Sequence, residues 1–504
     1  MVFFAVLIPL IMSVPIALIK WKNNRIMHIY NEVIVIMTSV LVWYMILDPG
    51  AEHFTLVTFP GNLSISFCMD GLSMIFAGLI SLLWPLAVLY AFEYMEHHSP
   101  SEGDRGGADH AYKGSRDRST DIFFMFYTMT YGVTLGIATA SNILTMYFFY
   151  ELLTIVTVPL VMHTLTRKAI LASRKYMYYS LGGAAFAFLG MIFIISYGTT
   201  IDFKLGGVLD MAKVGDKAGV LLLIYVFAFM GFGVKAAVCP FNSWLPDAGV
   251  APTPVTALLH AVAVVKSGAF AIIRLTYYLF GTEFLRGTWA QYFTMSIVMI
   301  TIVYGCARAV KEPHIKRRLA YSTISNLSYI LFGVTLLTPF GMAAALIHMV
   351  MHAVMKICSF FCAGAIMTKT DREYVYELDG LGLKMPQTFA LFTISGLALM
   401  GVPGLAGFIS KWNLATAALD SGEPLACVGI VALLISAILT AIYMMTISVR
   451  GFFPKSNYND RVNKGITDPG WRMLLPLYIF AVAMVILGLH GNMLIDFICK
   501  VAGC

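Results

Sequence analysis

Charge is what this sequence has least of. Of its 504 residues only 12% are Asp, Glu, Lys or Arg, against 59% hydrophobic and a mean hydropathy of +0.80. A soluble globular chain carries about 25% charged residues. The deficit excludes an ordinary soluble enzyme, a disordered protein and a nucleic-acid binder. Other absences narrow the field. The eight cysteines are scattered, with no C-x-x-C pair and no iron–sulfur spacing. Cys358 and Cys362 lie one helical turn apart in an apolar run, where they read as small core residues rather than metal ligands. There is no G-x-G-x-x-G after a strand and no Walker A loop. The chain is therefore expected to hold no cofactor, redox centre, nucleotide or metal of its own and no catalytic residue in the chemical sense.

What is present is long apolar runs from end to end. A bilayer-crossing helix needs about 20 apolar residues. On that measure the fold class is an all-α polytopic membrane protein with about fourteen transmembrane helices. The spans fall near 2–19, 29–47, 71–95, 121–140, 142–164, 175–197, 219–239, 254–280, 289–308, 319–338, 341–367, 387–418, 425–449 and 472–496. The first span lacks a basic leader, and its positive residues follow the apolar run, so it is not read as a cleaved signal. With the N-terminus outside, the inside loops hold 24 of the 34 lysines and arginines. The outside segments hold Lys204, Lys213, Lys217, Arg286 and Lys500. This positive-inside bias supports the span count and places both termini outside. A hydrophilic stretch at 96–120, rich in Gly, Ser and mixed charge, reads as a solvated inside loop rather than a metal site built on His97, His98 and His110.

Five basic residues remain inside apolar runs. Arg274, late in the eighth span, is expected to snorkel to the outer interface. Lys235, Lys266, Lys356 and Lys411 sit deeper. A lysine at a helix centre costs about 2.5–3.5 kcal/mol, so four cost about 10–14 kcal/mol if charged and unpaired. Core filling does not explain such a sum, and the pattern points to a polar pathway. Glu151 lies at similar depth, with a buried lysine as its natural partner. His348, His352 and Lys356 are spaced i, i+4, i+8, on one helix face over about 12 Å. Histidine both gives and takes protons near neutral pH, so the stripe reads as a proton relay. His260, six residues before Lys266, is a further member on a different face.

Two spans look broken. The seventh carries 231-GFGVKAAVCPFNSWLPDAGVAPTP-254, with Pro240 five residues after Lys235; the twelfth carries 396-GLALMGVPGLAGFISKW-412, with Pro403 among four glycines. Backbone groups freed inside a membrane are tolerated beside protein or a wet cavity, and ion sites are built there. The two broken, lysine-bearing spans are five helices apart, and an odd offset inverts the second copy. The expected organisation is N-terminal helices at 1–95, the hydrophilic loop at 96–120, one five-helix repeat at 121–280, its inverted copy at 289–449 and a C-terminal helix within 472–504.

The run 234-VKAAVCPFNSWLPDAGVAPTPVTALLHAVAVVKSGAFAIIRL-275 resembles the antiporter-like membrane subunits of respiratory complex I, the Mrp-type sodium/proton antiporters and the membrane-bound hydrogenases. Further matches are 70-DGLSMIF-76, 151-ELLTIVTVPL-160, 316-KRRLAYSTISNLSYILFG-333, 348-HMVMHAVMKICSFFCAG-364 and 404-GLAGFISKW-412. They cover most of the chain in family order. The resemblance implies that Glu151 pairs with Lys235, that Lys266 or His260 continues the line, and that His348, His352, Lys356 and Lys411 complete it. It departs from some members in having Asn326 where they have a histidine and Lys411 where they have a glutamate. The length suits the middle-sized members, with no added lateral helix.

The implied function is proton translocation within a multisubunit complex in a prokaryotic plasma membrane. Its expected partners are other membrane subunits, peripheral redox subunits carrying any cofactors, and the bilayer. Protons would reach Lys235 by an inside half-channel and leave from Lys411 by an outside one. If the complex is an oxidoreductase, this chain is its ion-translocating part. The competing readings are a standalone carrier for a small solute and a structural or assembly subunit.

Overall fold

The computed structural model describes all residues except 22, 49–52, 62, 99–117, 456–462 and 464. Most of the hydrophilic 96–120 loop, with His110 and the His98 side chain, lies outside the described residues. The described chain is helical apart from one antiparallel hairpin, Phe54–Phe59 with Leu63–Phe67, turned at Gly61, whose φ is +83°. The hairpin lies between the second and third expected spans. Its second strand is stitched to the next helical layer: Asn142 Nδ2 donates to Ser64 O at 2.9 Å while its Oδ1 accepts from Thr145 N, capping the Ile143–Val161 helix.

Eleven helices among the described residues are long and apolar enough to cross a membrane, which makes this an integral membrane protein. The other three expected spans are also helical but depart from the simple pattern. Residues 2–19 form two pieces, Val2–Met12 and Val14–Leu18. The 387–418 span is two 15-residue helices, Pro386–Met400 and Ala406–Asp420. Between them, Gly401 and Gly404 take φ of +94° and +86° around Pro403, a conformation glycine adopts without a Cβ penalty. Ile315–Thr335 is long enough but too polar to count as an apolar span.

That polarity has a tertiary reason. Every residue of Ile315–Thr335 except Arg317 is buried. Thr253–Phe280 and Pro339–Thr370 are likewise enclosed along their apolar windows, whereas Pro424–Phe452 and Trp471–His490 are only one-third buried. The enclosed helices form an axis, and the others expose Leu, Ile and Val to lipid. A helix touching no lipid tolerates hydroxyls, amides and charge.

Two boundaries differ from the sequence reading. The last span ends at His490, and Asn492–Ala502 is a separate helix. The eighth span breaks into Thr253–Ala261 and Val264–Ile273, followed by a π-helical turn, Arg274–Phe280. At the break Val262 has φ −131° and Ala263 has ψ −82°, with neither proline nor glycine present.

Arg274 does not snorkel. It is fully buried, and its guanidinium forms a two-pronged bond to Asp70 at 2.6 and 2.7 Å, with Ser73 Oγ at 3.1 Å. The π-helical turn aims this side chain inward, and the motif that opens the Gly71–His98 helix receives it. A second tie closes the opposite end, where Glu93 accepts from the backbone N–H groups of Gly470 and Met473 and so caps the Trp471–His490 helix.

Candidate proton-relay site

Lys235, Lys266, Lys356 and Lys411 each sit where a helix breaks or inside the enclosed axis. The Ala218–Lys235 helix ends at Lys235 itself, ahead of Pro240, which lies in the segment leading to Trp244–Asp247. Trp244 Nε1 donates to Val234 O at 2.8 Å, a second bond to a carbonyl at the helix end that also accepts from Ala237 N at 3.1 Å. The Lys235 ammonium donates to the Tyr150 carbonyl and lies over the Tyr150 ring, 3.5 Å from its centroid.

Glu151 is next in sequence to Tyr150 but forms no ion pair with Lys235 within 4 Å among the described residues, and its Oε1 is buried without a hydrogen-bond partner there. The closed pair implied by the resemblance is thus an open one here. The two charges remain within electrostatic reach of each other.

The centre of the axis is tighter. Lys266 Nζ lies 2.7 Å from His352 Nδ1. Two cations would repel at this distance, so no more than one of the two groups is charged, and which nitrogen donates follows the histidine tautomer. His352 stacks on His348, with centroids 5.7 Å apart. His348 Nδ1 meets Ser410 Oγ at 3.0 Å, crossing to the second half of the broken Pro386–Asp420 region.

Next to Ser410 in sequence, Lys411 donates to the carbonyls of Leu399 and Met400 at 2.7 and 3.0 Å. The broken helix thus exposes carbonyls at its first half's C-terminus, and the lysine of its second half satisfies them. A cation at a helix C-terminus is favoured by the helix dipole. Lys356 Nζ and both ring nitrogens of His260 are fully buried with no hydrogen-bond partner among the described residues. His260 packs on Phe360, with ring centroids 4.9 Å apart.

The structure therefore gathers Lys266, His352, His348 and Ser410 into a hydrogen-bonded and stacked line, with Lys411 next to Ser410 in sequence and Lys356 and His260 alongside. Lys235 and Glu151 form a separate group. The two groups meet where Gly268 lies backbone to backbone against the end of the Lys235 helix: a Cβ there would come within 2.6 Å of Ala236 N. Gly268→Leu is expected to separate the helices, costing about 1–3 kcal/mol or more. A lower melting temperature in detergent by fluorescence-detected size exclusion checks this.

Sequence reading missed a hydroxyl and thiol cluster beside Lys411. Ser325, Ser436, Thr440 and Cys306 interconnect, and Tyr443 Oη donates to Ser322 at 2.7 Å. The signal was there in the run of Ser, Thr and Asn along 322–328. It also missed Asp70 as the partner of Arg274, and Lys316, which it placed in a loop. Among the described residues no cluster of His, Cys, Asp or Glu has the shape of a metal site.

Residues 140–440 match the transmembrane family described as NADH:quinone oxidoreductase/Mrp antiporter. The chain belongs to this family. Over 97% of its length it is 25% identical to NAD(P)H-quinone oxidoreductase chain 4 1 of Synechococcus elongatus, covering 88% of that protein. It is 27% identical, again over 97%, to a Na(+)/H(+) antiporter protein of Alkalihalophilus pseudofirmus, of which it spans 61%. Two solved assemblies contain chains of the same fold. One is the Mrp complex of Dietzia sp., with a TM-score of 0.81 at 21% identity. The other is an archaeal membrane-bound sulfane sulfur reductase, with a TM-score of 0.80 at 20% identity. Each alignment covers 100% of this chain and 97% of the other. Both are multisubunit membrane complexes.

Proposed function

We propose that this family member is a proton-translocating membrane subunit of a multisubunit complex, moving protons along Lys266, His352, His348 and Lys411 with His260 and Lys356 as flanking sites. The observation that carries the reading is the 2.7 Å contact between Lys266 and His352 on two helices sealed from lipid. A lysine–imidazole bond there holds a mobile proton, and the stacked His348 hands it across to Ser410 and Lys411. Buried polar atoms without protein partners require water, and those on His260, His348, His352 and Lys356 cluster along this line. Water would complete the proton path between side chains not in direct contact.

Glu151 and Lys235 form the control group. Lys235 rests on the Tyr150 ring and carbonyl, while Glu151 keeps a carboxylate oxygen without a partner among the described residues. A neighbouring subunit that moves Glu151 changes the counter-charge at Lys235, and that change is felt across the Gly268 contact. The driving force comes from elsewhere in the assembly; one charge across 100 mV is worth about 2.3 kcal/mol. The two breaks flanking Pro240 and Pro403 stand at matching places in two inverted five-helix repeats, residues 121–280 and 289–449, preceded by helices in 1–95 and the 96–120 loop and followed by 472–504. The host membrane is a prokaryotic plasma membrane with both termini outside. The relatives' names fit a redox-driven pump and a cation/proton antiporter equally.

Glu151→Gln keeps the shape and removes the charge. Coupled proton uptake in inverted native vesicles is expected to fall by at least about tenfold while the protein still co-purifies with its partners. Undiminished uptake in that variant would refute the control role. The co-purifying chains identify the branch: hydrophilic redox subunits indicate a redox pump, small membrane partners alone an antiporter.

A further inference from the structure

A cavity of about 690 Å³ lies at the end of the molecule that the lysine and arginine distribution places inside. Its wall includes Ser119, His163, Ala251, Lys316, Asp371 and Glu373, and does not include Lys235. Lys316 is the first lysine of the polar, enclosed Ile315–Thr335 helix. It is 6% exposed, and its ammonium donates to Ala251 O at 2.9 Å. The same carbonyl accepts from Thr256 Oγ at 3.1 Å. Thr256 stands one helical turn before His260 on Thr253–Ala261, on the same face. His260 has two ring nitrogens without a partner among the described residues and feels the charges of Lys356, Lys266 and Lys316. The break at Val262–Ala263 then turns the chain to Lys266.

From these contacts we infer that the inside port of the relay opens at Lys316 and joins the line at His260, rather than at Lys235. Lys316 is the first proton carrier. It takes a proton from water in the cavity, and the proton passes by water along the Ala251–Thr256 polar step to a ring nitrogen of His260. Lys316 is neutral after the step, His260 is cationic, and Lys316 is reprotonated from the cavity. Glu373 and Asp371 on the cavity wall supply the negative field that draws protons to it. The break in the eighth span places His260 between port and relay. This inference rests on the proton-translocating reading and adds the place where protons enter.

The test is acridine-orange quenching in inverted native membrane vesicles, energised by the reductant or sodium gradient that drives the co-purified complex. Lys316→Met should lower proton uptake by at least about tenfold with assembly unchanged. Lys316→Arg should not restore it, because a guanidinium does not give up its proton, whereas Lys316→His should recover a measurable part. Full uptake with arginine would mean that Lys316 merely braces Ala251, and would overturn the inference. Lys266→Met serves as the control for the relay itself. Loss of uptake with Lys266→Met but not with Lys316→Met overturns the port alone, while normal uptake in both overturns the relay. If Lys316→Met does not assemble, Thr256→Val decides: it cuts the step without touching Lys316, and normal uptake in it overturns the port.

Discussion

Replacing Lys266 by Met will reduce coupled proton transport by about 100-fold or more, with the assembled complex present in normal amount. Lys266 is fully buried, and Met matches its length and suits an apolar helix. The nitrogen it removes is the one that lies 2.7 Å from His352 Nδ1, the contact on which the proposed relay turns. No other described side chain is hydrogen-bonded to His352, whose Nε2 has no partner among the described residues. Arginine at the same place is expected to fail as well, since it stays charged throughout and cannot release what it accepts. Vesicle quenching assays on both variants, beside a blot for co-purifying subunits, measure the effect. Transport within twofold of the parent in the Met variant would sink the relay as drawn.

The largest loss of stability is expected from Asp70→Ala. Arg274 is completely enclosed, and both prongs of its guanidinium end on Asp70. Removing the carboxylate strands a buried cation, which costs about 3–5 kcal/mol. Asp70 is one-third exposed on its outer side, so most of the penalty falls on Arg274, whose surroundings are Phe203, Phe270 and Tyr278. The monodisperse peak in detergent should shrink and melt earlier. The double variant Asp70→Leu with Arg274→Met should recover much of the loss, because replacing both members of a buried pair by apolar residues removes the stranded charge. Equal melting of Asp70→Ala and the parent would show that the pair does not hold this end of the molecule together.

Buried cations thus serve two ends in one molecule. Arg274 and Asp70 use a buried ion pair to lock the π-helical turn after Ile273 against the start of the Gly71–His98 helix. Lys266 and His352 are closer together than repulsion would allow if both were charged, and in the proposed function they pass a proton. Depth alone does not separate these roles; what does is the charge of the partner. A carboxylate neutralises an arginine permanently, whereas an imidazole competes with a lysine for one proton.

By itself the sequence determined that this is a many-helix membrane protein, because hydropathy and the lysine and arginine bias are summed along the chain and need no folding to be read. It determined the His348–His352–Lys356 stripe, because helical spacing is local, and the glycines and proline that interrupt 396–407. It identified the buried lysines, because a charge inside an apolar run is costly wherever the run lies. Only the tertiary structure decided what each charge meets. Arg274 and Asp70 are 204 positions apart, beyond any local pattern. Lys316 reads as a loop residue because Arg317 and Arg318 follow it, yet the fold buries its side chain. The break at Val262–Ala263 has no proline or glycine to announce it, since packing imposed it. The spacing between Glu151 and Lys235 is set by how two helices approach, with Gly268 deciding how closely the next helix can follow. Partners across space are chosen by packing, and packing is not written at any single position of the chain.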